Sequence, residues 1–288
     1  MKRTALTILL ILAICQLLSS QKLPEGSRYL GQTPPGTTPV KFPLEVNKGS
    51  FAAERIAISK DGKEIYYTEV RSYYPAKGDT IKCYRFTGKG WSGPFNIFPA
   101  FLSPALSLAG DKMYMQTAGD EYDTYMSVRK GRQWTSPQRI LKNLNSAHYL
   151  QYSAKGNAFI SSKPAKGLGG NDWCRLLTDS TVVSLGKPLN NRQDNLDFFV
   201  ARDESFIIIA VNTGLSISFP AKEGSWTTPV NLGKKINFGL ASWGPYVTDD
   251  KKYLFYSTGT KPDYSDCGIF WVRVDNLIDS LKNVNNGR

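Results

Sequence analysis

The sequence predicts an all-β fold, a five-bladed β-propeller with four-stranded blades. One short phrase recurs five times, β-prone runs lie inside every recurrence, and polar turn residues separate those runs. The aligned positions of the phrase are Ser59, Ser107, Ser153, Ala201 and Thr248, at steps of 48, 46, 48 and 47 residues. A period of this length that contains several short strands is typical of a propeller, in which each repeat forms one blade.

Four β segments make up each repeat. The first two flank a polar turn, as Ile58 and Ile65 flank Asp61-Gly62, and this pattern predicts a hairpin. A third segment follows, as in residues 79–86, and a fourth contains a Trp-x-x-Pro phrase. Because proline has no amide hydrogen to donate to a ladder, the fourth segment is predicted to be the outermost strand of its blade. The phrase occurs at Trp91–Pro94, Trp134–Pro137 and Trp226–Pro229.

The two ends of the chain predict how the ring closes. The fifth repeat has a third segment at residues 268–274 but no Trp-x-x-Pro segment after it, whereas residues 39–44 look like an outer strand without a blade. Pairing 39–44 with 268–274 would complete the last blade and cover two open edges. The alternative is a six-bladed ring with one degenerate blade, for which residues 21–38 are too short.

The chain divides into a leader and one domain. Residues 1–20 are predicted to be a secretory signal, because two basic residues precede an apolar stretch that ends in small residues. Lipid attachment at Cys15 is the alternative, since the residues before it resemble a lipoprotein box. An N-terminal extension (21–38), a propeller domain (39–275) and a C-terminal tail (276–288) follow. We expect an exported, periplasmic protein, with a lipoprotein or a cell-surface protein as alternatives.

The net charge favours anionic partners. The formal charge is +12, and removal of the leader takes away Lys2 and Arg3 and leaves +10. Such a charge favours nucleic acid, membrane surfaces or acidic glycans, and export argues against nucleic acid. No stretch after the leader has the roughly 20 apolar residues that span a bilayer. A basic surface that serves only solubility is the alternative, and the oligomeric state is left open.

The sequence predicts no cofactor and no metal site. It contains a single histidine and no Cys-x-x-Cys pair, so a zinc site is not expected. Cys83, Cys174 and Cys267 lie in or beside third segments of different repeats, too far apart to form a disulfide. We expect all three to be buried free thiols.

The recurring phrase resembles a known repeat. Residues 57–66, Ala-Ile-Ser-Lys-Asp-Gly-Lys-Glu-Ile-Tyr, resemble the PD40 repeat, the WD40-like element of TolB-type propellers, and Pro104 and Pro245 stand where a proline often precedes it. Residues 29–36 resemble a segment of exported Bacteroidetes proteins that carry these repeats. The resemblance implies a propeller, and its relatives include scaffolds, binding modules and carbohydrate-active enzymes, among them lyases that act on uronate-containing oligosaccharides.

Two columns of residues at the start of the first segments differ completely between repeats. Because the first strand of each blade lines the central channel, both columns are expected at one channel mouth. Divergence on an otherwise repeated scaffold predicts a ligand site there. The first column holds Glu54, Leu102, His148, Leu196 and Trp243, and the second holds Arg55, Ser103, Tyr149, Asp197 and Gly244.

These residue types predict an acidic-sugar site. In elimination from a uronate, His148 or Tyr149 would be the base, and Arg55 would neutralise the sugar carboxylate. As rim residues, they are not expected to hold the core. Substrate binding is assigned to Glu54, Arg71, Asp197 and Trp243, with the Trp243 ring stacked on a pyranose face.

Two functions are therefore predicted. The first is an exported carbon–oxygen lyase, a dehydratase or polysaccharide lyase, that engages uronate-containing or sulfated oligosaccharides. The alternative is a non-catalytic binding or scaffold propeller of the cell envelope. A proton relay at the mouth would favour the enzyme, whereas an apolar plug of Leu102, Leu196 and Trp243 would favour the scaffold.

Overall fold

The computed structural model describes residues 23–73, 76–117, 122–167, 169–191, 194–211 and 214–286, and it confirms the five-bladed, all-β prediction. Each blade is an antiparallel sheet whose first strand faces the central channel, and the blades follow one another around the ring in chain order. The predicted leader, residues 1–20, lies outside the described residues.

The strands run as follows. The chain begins with β1 (Val40–Lys41), which belongs to the last blade. Blade 1 contains β2 (Phe51–Ile58), β3 (Glu64–Val70), a small hairpin of β4 (Ser72–Tyr73) and β5 (Ala76–Lys77), β6 (Thr80–Phe86) and β7 (Trp91–Pro99). Blade 2 contains β8 (Leu102–Leu106), β9 (Lys112–Gln116), β10 (Thr124–Lys130) and an outer strand in two pieces, β11 (Gln133–Trp134) and β12 (Gln138–Arg139). Blade 3 contains β13 (His148–Tyr152), β14 (Ala158–Ser162), β15 (Asp172–Thr178) and β16 (Thr181–Ser184). Blade 4 contains β17 (Phe198–Val200), β18 (Ile207–Val211), β19 (Gly214–Ser218) and β20 (Val230–Asn231). Blade 5 contains β21 (Ala241–Val247), β22 (Tyr253–Gly259), β23 (Gly268–Arg273) and β1.

The recurring phrase forms the turn between the first two strands of a blade. In blade 1 the Ser59 hydroxyl donates to Asp61 Oδ1 at 2.7 Å and accepts the Glu64 amide at 2.9 Å. Thr248 makes the corresponding pair of bonds in blade 5, to Asp250 at 2.6 Å and from the Tyr253 amide at 3.1 Å. The hydroxyl therefore satisfies backbone groups that the reversal leaves unpaired, which explains why the phrase recurs.

The N-terminal strand closes the ring, as the sequence predicts. Strand β1 pairs antiparallel with β23, with Val40 opposite Trp271, and the Phe42 amide donates to the Ile269 carbonyl at 2.8 Å. The Phe42 ring is 2% exposed and lies 5.2 Å from the rings of both Phe255 and Trp271. Closure thus joins the two chain ends through an aromatic core as well as a ladder.

The C-terminal tail contains a helix that the sequence analysis did not predict. The helix α1 (Asp275–Asn286) follows β23 directly, and Leu277, Ile278 and Leu281 pack on the core shared by blades 4 and 5. Ile278 is 6% exposed. Apolar residues at a spacing of one and three to four mark one face of a helix, a signal that is easily missed among the surrounding polar residues.

The cysteines are as predicted. Cys83, Cys174 and Cys267 are free and buried, and burial raises the pKa of each thiol to about 12. None is therefore a nucleophile at neutral pH. Within the described segments, the helices are too short or too polar to cross a lipid bilayer.

Closure by the N-terminal strand can be tested with two substitutions on one segment. We expect Phe42→Ala to reduce the free energy of unfolding by about 3–5 kcal/mol, because it empties an aromatic site in the core. Val40→Ala, on the same segment but 44% exposed, should change it by less than about 1 kcal/mol. Urea unfolding followed by far-UV circular dichroism measures both, and equal small effects would contradict a core role for this segment.

Candidate functional site at the channel mouth

The inner strands bulge where they enter the channel. The ladder between the first and second strands shifts register in blades 1, 2, 3 and 5. The bulge places one residue of each strand at a positive φ angle, which is unusual for residues other than glycine. These residues and angles are Glu54 (66°), Ser103 (55°), Tyr149 (59°) and Gly244 (59°).

The bulge corrects the alignment of the two columns. Ala53 pairs with Thr68 and Ala57 with Tyr66, which leaves three residues in the bulge of blade 1. The other bulges leave two, as between Leu102 and Ala105. Glu54 is therefore equivalent to the second column rather than the first, and Arg55 is an additional residue of blade 1. An alignment without gaps could not show this.

Arg55 spans three blades. It is 5% exposed, and its guanidinium donates to the carbonyls of Ser103 at 3.2 Å, Tyr149 at 3.2 Å and Leu150 at 3.1 Å. The guanidinium carbon also lies 4.4 Å from the centre of the Tyr149 ring. Burial lowers the pKa of Arg55 to about 10, against the opposing effects of Tyr149, Asp197 and Glu54. Its hydrogen bonds are thus made to the protein backbone.

Glu54 lies beside it and joins blade 1 to blades 2 and 3. Its Oε2 atom accepts hydrogen bonds from the Ser103 hydroxyl at 2.9 Å and the Tyr149 hydroxyl at 2.6 Å. Tyr149 is fully buried, and burial, followed by the charges of Asp197 and Glu54, raises the pKa of its phenol well above the usual value. The phenol therefore acts as a hydrogen-bond donor to Glu54.

His148 connects blades 2, 3 and 4. The Tyr149 amide donates to Gln116 Oε1 at 3.1 Å, which fixes the orientation of that amide side chain. Gln116 Nε2 then donates to His148 Nδ1 at 2.8 Å, so the imidazole proton resides on Nε2 and is donated to Asp197 Oδ1 at 2.8 Å. His148 is 3% exposed, and both of its nitrogens are occupied within the protein.

Blade 5 completes the circuit. The Gly244 amide donates to Asp197 Oδ2 at 2.9 Å, and the Ser257 hydroxyl donates to the Glu54 carbonyl at 3.0 Å. A side chain on Gly244 would lie 2.5 Å from the Glu54 backbone, so only glycine fits this approach. Hydrogen bonds therefore join every blade to the next around the mouth. We call this set the mouth circuit: Glu54, Ser103, Gln116, His148, Tyr149, Asp197, Gly244 and Ser257.

The structure brings the predicted site residues together but buries several of them. Glu54, Arg55, His148 and Tyr149 are all buried, which corrects the expectation that they are rim residues outside the core. Three predicted residues are accessible: Asp197 with 13% of its side chain exposed, the half-buried Trp243 and the exposed Arg71.

Two aromatic residues at the mouth, Tyr122 and Tyr264, were not among the predicted site residues. The Tyr122 ring lies 4.1 Å from the His148 ring, and the Tyr264 ring meets Trp243 edge-on at 5.9 Å. Both are half-buried and belong to loops between second and third strands. Nothing in the local sequence indicates which residues of these loops fold onto the mouth.

Asp79 was also missed. It precedes β6, is 7% exposed, and its Oδ1 atom has no hydrogen-bond partner among the described residues. Burial, with a further contribution from Glu54, raises the pKa of this carboxyl to about 6. In the described part of the chain, no group of three or more His, Cys, Asp or Glu side chains could hold a metal ion.

The opposite face of the ring has small clefts. Two of them, of about 170 and 180 Å³, lie on either side of Thr248 and Asp249. The charged groups there pair across blades 4 and 5, Arg202 with Asp249 at 2.7 Å and Lys251 with Asp203 at 2.5 Å. These side chains hold neighbouring blades together rather than converging on a ligand.

Comparison with known proteins gives low similarities. No protein-family model matches the chain, and no curated protein matches it. Among solved structures, TolB from Acinetobacter baumannii is 15% identical with a TM-score of 0.48 over 71% of this chain and 48% of TolB. A periplasmic gluconolactonase from Pseudomonas aeruginosa is 11% identical with a TM-score of 0.43 over 78% and 72%. Trypanosoma rangeli sialidase in complex with the inhibitor DANA is 14% identical with a TM-score of 0.46 over 84% and 48%. The chain thus spans about half the length of TolB and of the sialidase, and its assignment as a propeller rests on its own strand order.

A conservative substitution tests the structural role of Arg55. Lysine keeps the charge but lacks the planar fork, so Arg55→Lys should leave at least one of three buried carbonyls unsatisfied and cost about 2–4 kcal/mol of unfolding free energy. Arg71→Lys, at an exposed position, should cost less than about 0.5 kcal/mol. Thermal and urea unfolding of both variants measure the difference, and a wild-type melting temperature for Arg55→Lys would refute the role.

The raised pKa of Asp79 predicts that the free energy of unfolding depends on pH. Because its folded pKa of about 6 lies above the usual 3.8, the folded state binds the proton more tightly than the unfolded state. The contribution of Asp79 to the free energy of unfolding is fully present below the pKa of the unfolded state, and it is lost as the pH rises through 6. Asp79→Asn should therefore stabilise the protein by about 1–2 kcal/mol at pH 8 and by little at pH 4. Urea unfolding at both pH values is the measurement, and an equal effect at both would contradict the assignment.

Proposed function

We propose that this protein is an exported propeller that binds acidic oligosaccharides, uronate-containing or sulfated, at the channel mouth without transforming them. The observation that carries the proposal is a basic collar around a mouth where the described residues present accessible aromatic rings and the Asp197 carboxylate. Export is part of the proposal and rests on the predicted leader.

The collar consists of charges on the loops at the mouth face. Two kinds of loop lie at this face of the ring. One kind leaves the second strand of a blade, and the other enters the inner strand of the next blade. Among the described side chains on these loops, nine exposed residues are basic: Lys48, Arg71, Lys142, Lys163, Lys166, Lys187, Lys234, Lys235 and Lys261. Of the side chains that the structure describes on the same loops, three exposed ones are acidic: Glu45, Asp194 and Asp263. Such an excess attracts a polyanion and raises its local concentration.

Aromatic residues and a carboxylate lie inside the collar. Trp243 and Tyr264 form one side of the mouth, and Tyr122 lies over His148 on another. Aromatic faces stack against the apolar faces of sugar rings, and the partly exposed carboxylate of Asp197 can accept hydrogen bonds from sugar hydroxyls. Two hydrogen bonds to its carboxylate, from His148 and from the Gly244 amide, hold Asp197 in place before a ligand arrives.

The geometry favours binding over elimination. A base needs a nitrogen or oxygen that faces the substrate, yet both nitrogens of His148 are hydrogen-bonded within the protein and Tyr149 is fully buried. Arg55 makes its hydrogen bonds to three carbonyls, which leaves Arg71 as the accessible guanidinium among the predicted site residues. The lyase activity and the catalytic roles of these residues stay predictions from the sequence. The residues that link the blades at the mouth are polar and hydrogen-bonded, which argues against an apolar plug of the kind that would favour a scaffold.

Charge reversal at two faces tests the proposal. We expect Lys163→Glu with Lys166→Glu, at the mouth face, to weaken binding of a polyuronate about tenfold or more at low salt. The matched control is Lys60→Glu with Lys252→Glu, two exposed lysines of the turn face, which changes the net charge equally. Compared at an ionic strength of about 0.1 M, the control should change affinity less than about threefold, because charges beyond the Debye length of about 10 Å are screened there.

Isothermal titration calorimetry at two salt concentrations measures these affinities. Binding by the wild type should fall steeply from low to physiological salt, and a neutral glucan should show no such dependence. Equal losses in the two double variants would show that the total charge, rather than the mouth collar, attracts the polymer. Absence of binding by the wild type would refute the proposal.

A further inference from the structure

A polar cleft opens on the side of blade 1, outside the mouth. One wall is the segment Glu45–Asn47, which leads into the inner strand, and the other is Pro94–Asn96 of the outermost strand β7. Lys82 of β6 forms the floor, and the volume is about 520 Å³. Sites for small ligands occupy about 300–1,000 Å³, so the cleft is large enough for one.

The segment that forms the first wall is tied to the face of the blade. The Asn47 backbone amide donates to Glu69 Oε2 at 2.9 Å and its side-chain amide donates to Glu69 Oε1 at 2.7 Å. The Glu45 amide donates to the Tyr84 hydroxyl at 3.2 Å, and the Tyr67 hydroxyl donates to the Glu45 carbonyl. The cleft is therefore a formed feature of the blade, with a wall that is held at four points.

Lys82 has unused hydrogen-bonding capacity. Its side chain is 7% exposed, and its ammonium group contacts Glu69 Oε2 at 2.5 Å, the one partner that the described residues give it. An ammonium carries three N–H donors, so two of them remain for a group in the cleft. Because Lys82 lines the cleft, these donors are available to the oxygen atoms of a ligand there.

The charge of Lys82 is already balanced. Burial acts to raise the pKa of Glu69, but the hydrogen bonds from Lys82 and Asn47 outweigh it, and the pKa is lowered. Glu69 is therefore ionised, and the pair is neutral overall. A neutral pair with spare donors suits hydroxyl oxygens, and the amides of Asn47 and Asn96 on the two walls add acceptors and donors for the same hydroxyls.

The position of the cleft relates it to the mouth. Glu69 pairs with Ala52 of the inner strand and with Thr80 of β6. Two strand spacings of about 4.8 Å separate the inner strand from β6, so the cleft floor lies roughly 10 Å outward from the strand that enters the mouth. A single oligosaccharide of several rings can therefore reach both places.

We infer that this cleft is a second subsite, which binds a sugar ring of the same oligosaccharide through its hydroxyls. The inference rests on the proposed function at the mouth and adds a second place, of a different chemistry, to it. The mouth attracts negative charge through its collar, whereas the cleft binds hydroxyls through Lys82 and the asparagine amides.

Oligosaccharides of two lengths distinguish binding at the cleft from binding at the mouth. Affinities are measured by calorimetry for a uronate hexasaccharide, long enough for both places, and for a disaccharide. Lys82→Met removes the donors, and Asn96→Leu replaces the wall amide at an exposed position where folding is not at risk. The matched control, Gln138→Leu, makes the same kind of change on the outer strand of blade 2, where Gln138 is also exposed.

We expect both cleft variants to weaken hexasaccharide binding about five- to tenfold, the loss of one or two hydrogen bonds. Disaccharide binding and the control should stay within about twofold of the wild type. Unchanged hexasaccharide binding in Asn96→Leu and in folded Lys82→Met would refute the second subsite and leave the proposed function intact. Equal losses for both ligands would also refute it, since the cleft would then act on the mouth. If the wild type binds neither ligand, the proposed function fails and the subsite fails with it.

Discussion

The circuit of hydrogen bonds at the channel mouth is the interaction on which the ring depends. A propeller has no central layer, so each blade is held only by its two neighbours and by closure of the ends. Here Glu54, His148, Asp197 and Gly244 link the blades one to the next in the buried interior. A buried polar network stabilises only when every member is satisfied, because each unpaired group costs more than a single bond contributes. The circuit therefore constrains all five inner strands together.

This constraint gives a second reason why the repeats differ at the mouth. A donor in one blade must face an acceptor in the next, so neighbouring blades need different residues at equivalent positions. His148 requires the acceptor Asp197 in blade 4 and the donor Gln116 in blade 2. Divergence at the mouth thus arises from closure of the ring as well as from ligand recognition. Accessible groups, such as Trp243, the partly exposed Asp197 and Arg71, remain candidates for recognition.

The fold was predictable because its signal is local and repeated. The Ser59 and Thr248 turns, the position of proline in the outer strands, and the lone segment at residues 39–44 all followed from short stretches of sequence. The extra residue in blade 1 and the burial of Asp79 were not predictable. Nor was the contact between Arg55 and Tyr149, which are 94 residues apart. Pairings at such separations depend on the bulges and on the closure of the ring, which no short stretch encodes.

The most direct test of this account is the exchange of two backbone amides, those of Tyr149 and Gly244. Each donates to a side chain of the mouth circuit, Tyr149 to Gln116 and Gly244 to Asp197. Native-state hydrogen exchange measures the free energy that is required to open each bond. If the circuit holds the ring, both amides exchange only through global unfolding, with the same protection as the core strand β3. Rapid exchange of either amide through local opening would contradict the account.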